Sequence, residues 1–138
     1  DELISQREGK SINDIFATHG ESYFRHLESK IASELSLSEN MVIATGGGFI
    51  ENPSNISLLR DNSFFVWLFS DLTDSLERTD ISQKPKLIGH STESIKKLFD
   101  SRLDKYFKTA DLIYFNKGNR EAAIEVLSGE LSNANILA

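Results

Sequence analysis

The stretch "VIATGGGFIENPSN", residues 42–55, decides how this chain is read. A β-branched apolar pair, Val42 and Ile43, leads into Gly46, Gly47 and Gly48, and Pro53 with Ser54 then marks a helix start. A short apolar run, a glycine stop and a helix start form one step of an α/β fold. Glycine weakens any regular element, so a run of them requires a reason. Two reasons stand side by side. One is a tight strand-to-helix turn. The other is a surface that a ligand hydroxyl or phosphate approaches directly, at the carboxyl end of a strand where open α/β sheets bind ligands. Neither GxxxxGK[ST] nor GxGxxG occurs anywhere in the sequence.

Outward from the glycines the chain alternates helix and strand. Residues 1–8 read as a short helix stopped by Gly9, and Ser11 caps "INDIFATH", which Gly20 ends. "ESYFRHLESKIASELSL" is the longest helical pattern, with Phe24, Leu27, Ile31 and Leu35 on one stripe. "MVIAT" (41–45) reads as a short buried strand and "NPSNISLLRDN" as a helix. "SFFVWLFS" (63–70) is the strongest strand, apolar almost throughout and so expected to be covered on both faces. "DLTDSLERT" is a helix capped by Asp71 or Thr73. "DISQKPKLIGHST" (80–92) reads as a mobile loop. "ESIKKLFDSRLDKYFKT" is a helix, "DLIYF" a third strand and "NREAAIEVLSGEL" a closing helix. The expected fold class is α/β, a parallel β-sheet flanked by helices. Three strands are few for such a sheet, and the chain opens on "DELISQREG" rather than Met, so we expect a piece of something longer, truncated at its N-terminus.

The 138 residues suffice for one domain with a real core. A formal net charge of −6 argues against a general nucleic-acid or anionic-membrane partner. A small anionic substrate would need a local cationic pocket. With no cysteine there is no disulfide, thiolate metal site or thiol nucleophile, which suits a cytoplasmic location. No apolar run reaches the length of a membrane span.

Arg25 and Glu28 lie three residues apart on one helix. They are either a solvated pair worth a few tenths of a kcal/mol, or an arginine fork held by Glu28 and aimed at a substrate carboxylate. Arg102, one turn before Tyr106, poses the same choice. His19, His26 and His90 lack metal-ligand spacing, and no Ser-His-Asp or paired-carboxylate arrangement is evident.

In this order "DELISQREGKSINDIF", "GESYFRHLE", "VIATGGG", "KPKL" and "SRLDKYFKTAD" resemble the shikimate kinase family over roughly residues 1–115. Each motif is modest alone; FRxxE followed by TGGG at this spacing is specific in combination. The resemblance implies a P-loop kinase fold of the nucleoside-monophosphate-kinase type. It implies one domain over residues 1–138, with the shikimate-binding part at about 1–50 and an ATP lid at about 80–92. It implies transfer of phosphate from ATP, with Mg²⁺, to the 3-hydroxyl of shikimate on the way to chorismate and aromatic amino acids, by a protein expected to be monomeric.

Residue by residue, Asp1 matches the second aspartate of the family's DxD pair, which binds shikimate hydroxyls and helps polarise the accepting one. Arg25 and Arg102 match the arginines that hold the carboxylate, with Glu28 the partner of Arg25. Gly46, Gly47 and Gly48 match the family's GGG, and Phe16 and Phe24 match apolar walls of the pocket. Arg78 matches an arginine near the adenine, and Lys84 stands where the lid usually carries arginine. Lysine keeps the charge without the planar fork. The family's phosphate loop and first DxD aspartate would precede residue 1, so these residues alone are expected to be inactive, or nearly so, in phosphoryl transfer. Three other readings remain: a non-catalytic binding relative, another small-molecule kinase such as a gluconate-type kinase, and a structural α/β domain in which the glycines and arginines are incidental.

Overall fold

The computed structural model describes residues 1–78, 84, 87–117 and 119–136. Helix α1 (Glu2–Glu8) closes on Gly9, which takes left-handed angles. Helix α2 (Ile12–Leu35) starts at Ser11, whose hydroxyl accepts from the Asp14 N–H at 3.1 Å. The break expected at Gly20 is a kink within it: Gly20 has φ 80° and ψ 175°, outside helical space. A 3₁₀ turn (Phe49–Glu51) follows the glycines, then α3 (Pro53–Arg60), capped by Asn52 with Pro53 in its first turn. Strand β1 (Val66–Phe69), α4 (Leu72–Arg78), α5 (Thr92–Thr109), β2 (Leu112–Phe115) and α6 (Arg120–Asn133) complete the order. Of the two cap candidates for α4, Asp71 accepts from the Asp74 N–H at 2.9 Å.

Strands β1 and β2 pair in parallel, with Trp67 opposite Ile113 and Phe69 opposite Phe115. α4 and α5 carry the chain from one strand to the other, as a parallel pair requires. Asp111 ties the start of this sheet to α3. It accepts from Arg60 at 2.9 and 3.0 Å and from the Phe65 N–H at 2.7 Å. Arg60 also lies over the Phe65 ring.

Two expectations fail here. Residues 41–45 are not a buried strand: the segment carries no ladder, and Val42 is 94% exposed. Its side chains suit a strand, but a strand exists only through its neighbour, and no described strand lies beside it. Nor is the 63–70 run covered on both faces, since Leu68 is 54% exposed. Of the loop expected at 80–92, residues 80–83, 85 and 86 lie outside the described residues; Leu87–Gly89 form a turn and Thr92 already begins α5.

The core is built on α2. Ile4, Ile15 and Phe24 form one buried cluster, with Phe16, Leu27 and Ile31 packed against it. Ala32, Phe49 and Leu59 form a second, between α2, the 3₁₀ turn and α3. The apolar stripe predicted along α2 thus faces both clusters, and Arg25 flanks it and reaches Gly48.

Candidate active site

None of Gly46, Gly47 and Gly48 has positive φ; among the described residues that geometry belongs to Gly9, Gly20 and Gly89. The glycines are required by crowding. A Cβ on Gly46 would lie 3.1 Å from Asp1 Oδ1. One on Gly47 would lie 3.3 Å from the Tyr106 hydroxyl and 3.8 Å from Arg102 Nη1. One on Gly48 would collide with the Arg25 guanidinium. Three successive glycines therefore meet four side chains from three parts of the chain: Asp1 ahead of α1, Arg102 and Tyr106 of α5, and Arg25 of α2. What comes close to the run in this structure is the chain's own side chains.

Arg25 is held on its own helix. Nη1 donates to Glu28, whose side chain is 5% exposed, and Nε and Nη2 donate to Glu21 at 3.3 Å. Glu21 was not foreseen, although its i−4 spacing from Arg25 was the available signal. The Phe24 ring lies 5.4 Å beneath the Arg25 guanidinium carbon and 4.9 Å from Phe16, so Phe24 serves the core and Arg25 together.

Arg102 is anchored across the loop. Its Nε donates to Glu51 Oε1 at 2.7 Å, and Lys105 Nζ donates to Glu51 Oε2 at 2.6 Å. Partial burial pushes the Glu51 carboxyl upward, but the bonds from Lys105 and Arg102 outweigh it and bring it down to about 2. Tyr106, one turn beyond Arg102, donates to the Gly47 carbonyl at 2.6 Å and stacks on Trp67 at 5.3 Å. Burial raises the phenol above its ordinary value, with Glu51 adding and Arg102 opposing, so it remains a donor. Glu51 and Lys105 escaped the sequence reading, since neither belongs to a motif; Tyr106 was visible only as the next turn from Arg102.

Lys84 approaches Asp1 at 3.9 Å, which brings the loop lysine to the same place. Arg78 makes its contacts elsewhere, with Asp74 at 3.2 Å and with Ser70 and the Asn116 carbonyl at 3.4 Å, at the carboxyl ends of β1 and β2. A cleft of about 620 Å³ opens beside Asp1, Lys84, Gly46 and Gly47 and runs between α1, α2 and residues 41–45. Among the described residues no group of three or more His, Asp or Glu side chains could hold a metal ion.

A family model described as shikimate kinase matches residues 1–130. The chain belongs to the shikimate kinase family. It is 41% identical over 106 residues to the shikimate kinase of Sulfurihydrogenibium sp., covering 77% of this chain and 64% of that one. The solved shikimate kinase from Aquifex aeolicus superposes with a TM-score of 0.81 at 34% identity, covering 99% of this chain and 82% of the other. That from Acinetobacter baumannii, solved in complex with shikimate, gives 0.85 at 28% identity, covering 96% and 76%. The P-loop kinase fold expected of the chain is the fold of these neighbours. The chain spans about two-thirds of the length of the first curated shikimate kinases it matches.

Proposed function

We propose that the protein is a shikimate kinase, transferring the γ-phosphoryl of ATP to the 3-hydroxyl of shikimate. We read residues 1–138 as one domain that contains the acceptor side of this reaction. The observation that carries the reading is the convergence of Arg25, Arg102 and Asp1 on the bare backbone of Gly46–Gly48. Two guanidiniums beside a main chain without Cβ atoms suit a small polyhydroxy carboxylate: forked hydrogen bonds grip the carboxylate, and the hydroxyls lie toward the glycines. In this reading Asp1 accepts from a shikimate hydroxyl and draws its proton as the phosphoryl group arrives. Holding the acceptor in one pose is most of what phosphoryl transfer asks of this side. A neutral sugar offers no carboxylate to the Arg102 Nη edge, and a sugar acid of the gluconate type would not require both Arg25 and Arg102, so the pair favours shikimate over these acceptors.

ATP is the donor in this proposal, with Mg²⁺ neutralising its phosphates. Lys84, in the segment read as a lid, and Arg78 are assigned to the nucleotide side. The protein is taken as a cytoplasmic monomer; among the described residues no helix is long and apolar enough to cross a membrane.

Trp67, the one tryptophan, stacks on the tyrosine that touches Gly47, so its fluorescence reports on the site. Titration with shikimate should give a saturable change. Arg25→Ala and Arg102→Ala should each raise Kd by on the order of a hundredfold, as charge-assisted hydrogen bonds of a few kcal/mol are lost. A saturable wild-type change that both variants reproduce unaltered contradicts the assignment.

A further inference from the structure

We infer that Glu51 is a positioning residue for Arg102, and that Lys105 restores the positive charge that Glu51 would otherwise cancel. The inference deepens the proposed reading of the site and rests on it for the identity of the ligand.

The geometry is one-sided. Glu51 takes Arg102 from its Nε edge, at 2.7 Å, and among the described residues no acceptor meets Nη1 or Nη2. Nη1 instead stands over Gly47. A guanidinium held at Nε cannot rotate its terminal pair away from the glycines, so the fork is set before a carboxylate arrives. Preorganisation of this kind lowers the entropy lost on binding. The Arg102 side chain is 15% exposed and Glu51 27%, so solvent screens the pair less than it would a surface pair.

Charge is the second half of the argument. Arg25 faces two carboxylates, Glu28 and Glu21, which together exceed its own charge. An Arg102–Glu51 pair alone would be neutral, and with Arg25 outnumbered by its two carboxylates the side chains around the glycines would then repel a carboxylate ligand. Lys105 occupies the other oxygen of Glu51 at 2.6 Å and leaves the group of Arg102, Glu51 and Lys105 with one net positive charge. Within a protein of net charge −6, this cluster is the cationic element of the site. Arg102 and Lys105 lie on one face of α5, three residues apart, and Glu51 projects to both from the 3₁₀ turn behind the glycines.

The test has two readouts. The first needs no ligand. In nitrogen-15 spectra of the full chain, the Arg102 Nε–H should exchange slowly with water, more slowly in Glu51→Gln than in Glu51→Ala, because the amide oxygen still accepts from Nε. Equally fast exchange in wild type and Glu51→Ala overturns the positioning role, whatever shikimate does. The second is shikimate affinity followed through Trp67. Glu51→Ala should raise Kd roughly tenfold, the loss of about 1.4 kcal/mol, and Glu51→Gln should recover most of it. Lys105→Met should also raise Kd, by severalfold at low salt and less at high salt, with Nε–H exchange unchanged. Unaltered affinity in Lys105→Met overturns the charge argument. A wild type that binds no shikimate overturns the reading of the site, while the exchange data still decide whether Glu51 holds Arg102.

Discussion

Gly48 is where the main chain and a functional side chain come closest. A methyl group there has no room beside the Arg25 guanidinium, whereas on Gly46 it would press only moderately on Asp1 and on Gly47 on Tyr106. The displaced atoms are the far end of a flexible side chain, so the fold should survive and Arg25 should move. Gly48→Ala is therefore expected to unfold at nearly the wild-type denaturant midpoint while raising the shikimate Kd by on the order of tenfold or more. Gly47→Ala should show the smaller effect, and parallel denaturation and binding titrations of the two variants check the ranking. At this scale much was legible in the sequence. Arg25, Arg102, Asp1 and the glycines were all marked from motifs, and the structure brings them together. Glu51, Lys105 and Glu21 were not marked, because an acidic or basic residue that anchors another across space has no local pattern. Arg78 is assigned by the resemblance to the nucleotide side, and its partners lie at the strand ends.

At the scale of elements, the helices were readable because their ends carry their own chemistry. Ser11, Asn52, Ser91 and Asn119 each accept from a backbone N–H in the first turn. Gly20 was readable as a break, though what it makes is a kink with φ 80°, a conformation that a side chain strains. Ile15 before the kink and Phe24 after it belong to one cluster. Gly20→Ala should destabilise the protein by about 1–2 kcal/mol, with no atom in its way, because the cost is backbone strain alone. Urea denaturation measures it; a neutral substitution would mean that the kink is dispensable. The strand at 41–45 was misread for the opposite reason. Its composition favours a strand, but pairing depends on a partner that no local pattern reveals.

The whole molecule carries a net charge of −6, yet it arranges cations around one short loop. That arrangement depends on carboxylates that stay ionised. Glu51 is held at about 2 against an ordinary value of 4.5. A lowered native value means that the stabilisation is complete above 4.5 and is lost as pH falls toward 2. Wild-type stability should therefore decline across that window, and Glu51→Gln should decline less steeply; denaturation midpoints at pH 6 and pH 3 give the comparison. Parallel strands with helical crossovers, one apolar stripe along α2 and one site at the glycines form a consistent account at this scale, and most of it could be read from periodicity and caps. The clustering of Arg102, Glu51 and Lys105 could not, because it joins residues about fifty positions apart.

The central claim is that Arg25 and Arg102 read a carboxylate laid against the glycines. Calorimetric titration of the chain with shikimate and with its methyl ester tests this most directly. The account predicts saturable binding of shikimate at one site per chain and a loss of on the order of a hundredfold for the ester, which keeps the ring and hydroxyls but removes the charge. Equal binding of the two, or none by a folded chain, would contradict it.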